Sequence, residues 1–267
     1  MWEMSVIMDG NTDKLLVAAS FGTSHEHTFK KNIKAVEERI EAEFPGWKTA
    51  RVYTSGIIRK VLAGRGIDVD DLSSCLEKAK AGGIKQAAVL PTHLLYGVEY
   101  EKLVSLGDEF KDSFDSLEFG KPLLADTRDL LELTEIIADE FPKKEGRCII
   151  LMGHGTEHYV NPVYASLEYM FRQLGRSDIL VGTVEAYPEL EHVLSLVKAG
   201  GYKAAAVTPL MLVAGDHAAK DMAGDDKDSW KSQLEALGLD VTVVMRGLGE
   251  IPAVQDMYVR HCRELIG

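Results

Sequence analysis

The sequence predicts an α/β protein built as two similar βαβ-type halves. Each half is expected to hold a mainly parallel four-stranded sheet flanked by helices, with the active-site cleft between the halves. Three observations lead there. Short apolar runs alternate with amphipathic helical patterns along the chain, as βαβ units do. Runs such as Cys148–Met152 carry no polar residue at alternate positions, which suits strands covered on both faces. Finally, segments of the two halves look alike. Phe21-Gly22-Thr23-Ser24-His25 is similar to His154-Gly155-Thr156-Glu157-His158, and Pro91–Lys102 (PTHLLYGVEYEK) to Pro209–Lys220 (PLMLVAGDHAAK).

The first half is expected over 1–126, with strands Leu15–Ser20, Ala50–Thr54, Gln86–Pro91 and Leu117–Phe119. The second, 127–267, carries Arg147–Met152, Ile179–Val184, Ala204–Val213 and Val241–Met245. Phe29, Ile33, Val36, Ile40 and Phe44 fall on one helical face by 3- and 4-residue spacing, as do Leu190, Val193, Leu194 and Val197. The acidic run Gly224–Asp228 reads as a helix start. A last helix over 252–266 is free to pack on either half.

The 267 residues suffice for two cores, and the net charge of −12 argues against nucleic acid, whose phosphates need a basic face. No apolar run approaches the ~20 residues of a membrane span. The amino end, Met1–Lys14, has neither a basic segment nor an apolar one, so it is not read as a signal peptide. Cys75, Cys148 and Cys262 are odd in number and far apart, which suits a reducing compartment. A cytoplasmic location is expected, without membrane partners, and the oligomeric state stays open, homo-oligomers included.

Parallel α/β sheets bind ligands at the carboxyl ends of their strands. There the second half places His154 in Gly153-His154-Gly155, Glu185 after Ile179–Val184, and His217 in Gly215-Asp216-His217. Glycines beside His154 permit positive φ and close approach of backbone to a ligand. Singly, each residue reads equally as a turn histidine, a helix cap or half of an ion pair. Together, two imidazoles and a carboxylate suit a divalent cation and proton transfer. In the repeat, His154 faces Phe21, Glu185 roughly faces Thr54, and His217 faces Glu99. Glu99 is therefore the polar remnant of the site in the first half.

Other candidates are more ambiguous. His25 and His27 form an H-x-H pair ahead of a lysine-rich helix and read mainly as a solvated cap. His93 is read as a core histidine, a group behind the site, or an axial ligand to a bound macrocycle. Arg59, Lys60 and Arg65 are either a solvated helix face or, through arginine's fork, anchors for substrate carboxylates. His154 and His158 lack the H-E-x-x-H pattern of zinc peptidases, and no G-x-G-x-x-G, Walker A or G-x-S-x-G motif occurs.

The motifs S-F-G-T-S (20–24), Y-T-S-G-I-I-R-K (53–60), G-V-E-Y-E-K (97–102), M-G-H-G (152–155), V-E-A-Y-P-E (184–189) and P-L-M-L-V-A-G-D-H-A-A-K-D-M-A (209–223) resemble those of the anaerobic cobalt chelatases of corrinoid synthesis. These are the CbiK type of class II chelatase. D-S-W-K (228–231) and G-L-G-E-I-P-A (247–253) extend the resemblance, which runs from about Lys14 to the carboxyl end. It implies a chelatase-like fold and insertion of Co2+, as substrate metal, into the tetrapyrrole sirohydrochlorin without ATP or another nucleotide. It places His154, Glu185 and His217 at the metal and Glu99 on the facing wall. Rival readings are a ferrochelatase or nickel chelatase acting on sirohydrochlorin, and a tetrapyrrole or metal carrier without turnover.

Overall fold

The computed structural model describes residues 12–267. Most of the amino end read as no signal peptide, 1–11, lies outside them. The chain divides into two compact units. One comprises residues up to Ala125 together with Pro252–Gly267, and the other is Asp126–Ile251.

In the first unit the strands are β1 (Lys14–Ser20), β2 (Lys48–Tyr53), β3 (Gln86–Pro91) and β4 (Ser116–Phe119). They form one parallel sheet in the order β2-β1-β3-β4. In the second unit β5 (Arg147–Gly153), β6 (Ile179–Thr183), β7 (Ala204–Pro209) and β8 (Asp240–Val243) repeat the order as β6-β5-β7-β8, again parallel. Two four-stranded parallel sheets flanked by helices are what the apolar runs predict. The central strands β1 and β5 are buried on both faces after their first residue, whereas edge strand β8 alternates exposed and half-buried positions.

Several expected boundaries move, that of β2 from Ala50–Thr54 to Lys48–Tyr53 among them. The run from Ala204 leaves the sheet at Pro209 rather than continuing to Val213, because the ring nitrogen has no hydrogen for the ladder. The last ladder contact there is Leu210 N–H donating to Met152 O, 2.8 Å. β8 covers Asp240–Val243 rather than Val241–Met245: Val244 N–H still reaches Val207 O, but Met245 is exposed. The acidic run Gly224–Asp228 is a turn and not a helix start. The helix is Trp230–Ala236, capped by Ser229, whose hydroxyl accepts from Ser232 N at 3.1 Å.

The first unit's core packs Leu15, Val17 and Ala19 of β1 against Leu72, Cys75, Leu76 and Leu103 from the helices Leu72–Ala81 and Val98–Asp108. Helix Pro252–Ile266 belongs to this unit, packing on helix Ala35–Glu43 and on β3. The buried Tyr258 hydroxyl donates to Thr92 O at 2.8 Å, and Arg39 pairs with Asp256 at 2.9 Å. The second unit buries Cys148, Ile150 and Met152 against Val193, Val197, Ala218, Met222 and Trp230. Among the described residues no helix is long and apolar enough to cross a membrane.

Hydrogen bonds fix the register of the repeat residue by residue. Thr54 N–H donates to Ser20 O and Ser55 N–H to Phe21 O; in the second unit Val184 N–H donates to Gly153 O and Glu185 N–H to His154 O. Phe21 is therefore the counterpart of His154. The counterpart of Glu185 is Ser55, one residue beyond the Thr54 of the sequence comparison. Likewise Leu123 N–H bonds His93 O as Leu248 N–H bonds Met211 O, which matches His93 with Met211.

Candidate metal centre

Three strand ends of the second unit deliver the candidate ligands. β5 ends at Gly153 and His154 follows directly; Glu185 lies two residues past β6; His217 lies beyond β7, at the start of a π-helical turn, Ala218–Met222. One ligand atom from each of His154, Glu185 and His217 lies within 4.8 Å of the other two. The imidazole rings of His154 and His217 meet edge to face at 4.6 Å between centroids, and His154 Nδ1 is 3.5 Å from Glu185 Oε2. All three side chains are substantially exposed, so an ion could reach them.

The loops are held to one another as well as to the sheet. Glu185 N–H donates to His154 O at 2.9 Å. Asn161 spans the two loops: its Oδ1 accepts from Thr156 N at 3.1 Å and its Nδ2 donates to Tyr187 O at 2.6 Å. Thr183 Oγ1 accepts from Ala186 N at 3.2 Å. The glycines around His154 allow this packing, and Gly155 takes the positive φ that the sequence reading allowed for. A Cβ on Gly153 would run into the Tyr164 ring. Gly155, at φ +84°, sits where a Cβ would lie 2.8 Å from Ala186 N and 2.9 Å from Thr183 Cβ.

Hydrogen bonding sets the tautomers. His154 Nδ1 is 3.0 Å from Gly155 O, and His217 Nδ1 is 2.7 Å from Asp221 Oδ2. A carbonyl and a carboxylate only accept, so each Nδ1 carries a hydrogen, and in the neutral ring the lone pair is then on Nε2. Two such nitrogens with a carboxylate form a donor set for a borderline divalent cation.

The remaining candidates belong to the first unit or lie outside the triad. Glu99 pairs with Lys102 at 3.0 Å. Partial burial pushes its carboxyl up, but hydrogen bonds from Lys102 and Thr54 outweigh this and leave it below its ordinary value. His93 Nε2 is 3.4 Å from Thr54 Oγ1, and its buried Nδ1 has no hydrogen-bond partner among the described residues. The Arg59 guanidinium is paired with Asp71 at 3.0 Å, and Arg65 donates to Ser24 O at 2.6 Å. His25 and His27 are exposed, with His25 at the cap of a short helix, Glu26–Thr28. His158 accepts from Val160 N at 3.3 Å and stacks on Tyr159.

Burial lowers the His93 pKa from 6.5 to about 4, with the Glu99 charge opposing in part. The folded chain therefore refuses a proton that the unfolded chain accepts once the pH falls below 6.5. Stability contributed by the neutral ring is complete above that value and is lost as the pH falls toward 4, by about 2–3 kcal/mol at pH 4.5. Denaturant unfolding of wild type and His93→Gln at pH 7 and 4.5 should show a smaller acid loss in the variant. Equal losses would mean that His93 is not a buried neutral group.

Sequence reasoning did not single out Asn161 or Asp221. The first had a signal in Asn161-Pro162, a turn dipeptide, and the second in its spacing of four from His217.

Comparison with known proteins bears on this arrangement. Residues 14–267 match the family described as cobalt chelatase (CbiK). The chain belongs to this family. It is 38% identical over 255 residues to the sirohydrochlorin cobaltochelatase of Salmonella typhimurium, covering 95% of this chain and 96% of that one. Over 254 residues it is 32% identical to the sirohydrochlorin cobaltochelatase CbiKC of Nitratidesulfovibrio vulgaris, covering 94% and 89%. Its fold is similar to that of SirB from Bacillus subtilis with Fe3+ (TM-score 0.65, 14% identity, 94% of each chain). It is also similar to CbiX, described as the terminal enzyme for biosynthesis of siroheme in denitrifying bacteria (TM-score 0.55, 14% identity, 95% of this chain and 100% of that one). In this cobalt chelatase family member, Asn161→Ala should loosen Co2+ binding roughly tenfold, because it frees the His154 loop from the Tyr187 backbone. Calorimetric titration with Co2+ measures this, and unchanged affinity would show that the loops hold without Asn161.

Proposed function

We propose that the protein catalyses ATP-independent insertion of Co2+ into sirohydrochlorin, with His154, Glu185 and His217 as the metal-handling residues. The observation that carries this is the convergence of those three donors, from three strand ends, within 4.8 Å of one another. The 38% identity to a sirohydrochlorin cobaltochelatase supports the choice of substrate.

Insertion needs two things of the protein. Co2+ must be held while it loses water, and two pyrrole N–H protons must be removed as two Co–N bonds form. Three protein ligands leave coordination positions open for the incoming macrocycle nitrogens. As the metal passes to the tetrapyrrole, His154 Nε2 and the Glu185 carboxylate regain their lone pairs where protons are being released. His154 is the main proton acceptor in this reading, a general base in its neutral form. His217 shares the metal. Glu99, in the first unit, is the further acidic group of this reading, paired with Lys102 and held below its ordinary value. Arg59 is proposed to bind tetrapyrrole carboxylates, which requires exchange of its Asp71 partner. His93 is the weakest member of the set, a half-buried neutral ring with Nε2 3.4 Å from Thr54 Oγ1. The reaction uses no nucleotide and proceeds in the cytoplasm; three buried cysteines without a disulfide suit that compartment.

Anaerobic Co2+ insertion into sirohydrochlorin, followed by absorbance with wild type and His217→Ala in parallel, tests the proposal. Catalysis by wild type and its loss in the variant support it. Stoichiometric binding without acceleration would make the protein a carrier, and faster insertion of Fe2+ or Ni2+ than Co2+ would reassign the metal.

A further inference from the structure

We infer that Asp221 is a positioning residue for the metal centre: its carboxylate holds His217 in the Nδ1–H tautomer and aims the Nε2 lone pair at the ion. This rests on the reading of His217 as a ligand and adds a residue to it.

The geometry begins with the backbone. Over Ala218–Met222 the chain adopts a π-helical turn, in which Ala223 N–H bonds Ala218 O, five residues back. Such turns are rare and recur at functional sites. Ala218 and Met222 are fully buried in the second unit's core, packed with residues of β5 and β7. Their neighbours in sequence, His217 and Asp221, share the same spacing of four but are only partly buried. One pair thus anchors the turn while the other is presented, and the anchors fix where the presented side chains lie.

Asp221 Oδ2 lies 2.7 Å from His217 Nδ1, the short end of the range for a charge-assisted hydrogen bond. An ionised carboxylate has no hydrogen to give, so the ring must donate. Without that acceptor an imidazole is free to place its hydrogen on either nitrogen, and the Nε2–H form has no lone pair to offer at that atom. A carboxylate behind a ligating histidine also makes the ring more basic toward the metal, and removing such a partner typically costs about 10–100-fold in affinity. His154 Nδ1 is hydrogen-bonded to the Gly155 carbonyl at 3.0 Å, and its nearest carboxylate, that of Glu185, is farther off at 3.5 Å. Asp221 therefore makes His217 the more firmly oriented of the two imidazoles.

The test uses the full-length metal-free protein, 15N-labelled at histidine, with Co2+ alone as the probe. Long-range nitrogen–proton NMR reads the tautomer, and titration of the Co2+ absorption bands reads affinity, for wild type, Asp221→Ala, Asp221→Asn and His217→Ala. Expected are an Nδ1–H His217 in wild type and an Nε2–H contribution in Asp221→Ala. Co2+ affinity should fall about 10–100-fold in that variant, with a loss in the same direction in Asp221→Asn. Folded variants at Asp221 that keep the tautomer and bind Co2+ as wild type does, while His217→Ala does not, would overturn the role of Asp221 alone. If His217→Ala itself binds Co2+ normally, the ligand reading beneath it fails.

Discussion

His154→Ala is expected to lower Co2+ insertion by about 10²–10⁴-fold, the range for loss of a positioned general base, with little change in stability. The two effects separate because different parts of the residue carry them. The backbone carbonyl of His154 accepts from Glu185 N and holds the two loops together, and alanine retains it. The imidazole is substantially exposed, buries little apolar surface, and makes its closest polar contacts with Gly155 O and the Glu185 carboxylate. Its loss leaves Glu185 and His217 as a two-donor site and removes the base nearest to Glu185. Thermal unfolding should therefore match wild type while Co2+ binding and turnover fall together. A variant that inserted Co2+ at the wild-type rate would remove His154 from the mechanism and leave Glu185 as the proton acceptor. A variant that bound Co2+ normally but did not turn over would keep the base and remove the ligand.

The cluster of His154, Glu185 and His217 was legible in the sequence to the level of residue identity, for a physical reason. Each of the three residues follows an apolar run, and in a parallel sheet the ends of such runs converge whatever the details of packing. That argument gives membership and no distances. The 4.6 Å contact of the two imidazoles depends on where a π-helical turn places His217, and the periodicity of residues 214–223 did not announce that turn. The β7 boundary was misjudged because Leu210–Val213 is as apolar as a strand, although Pro209 ends the ladder first. Alignment of the halves erred by one at Thr54 because only the hydrogen bonds from Ser55 and Glu185 define the register. The fold was more legible than the site. Uninterrupted apolar strands alternating with amphipathic helices leave few alternatives to parallel sheets covered on both faces.

Gly155→Ala should do to the whole centre what His154→Ala does to one group. At φ +84° alanine is strained by about 1–2 kcal/mol, the cost of placing a Cβ in the left-handed region. The new carbon would also lie 2.8 Å from Ala186 N and 2.9 Å from Thr183 Cβ and Oγ1, closer than real Cβ contacts come. Backbone and the end of a strand cannot swing aside as a long side chain would, so overpacking adds about 1–3 kcal/mol. Two responses are open to the chain. If the loops stay together, stability falls by about 2–5 kcal/mol, the sum of those costs. If they part, the bond from Glu185 N to His154 O lengthens, and the carboxylate leaves the imidazoles. A misplacement of about 1 Å suffices to cost 10²-fold in rate. Unfolding and Co2+ titration of the same variant distinguish the responses, and each predicts a substantial loss in one of them. Wild-type stability together with wild-type affinity would mean that the space between the His154 and Glu185 loops is not filled as the structure has it. The contact that positions Glu185 against His154 would then have to be sought elsewhere, with Asn161 the next residue to replace.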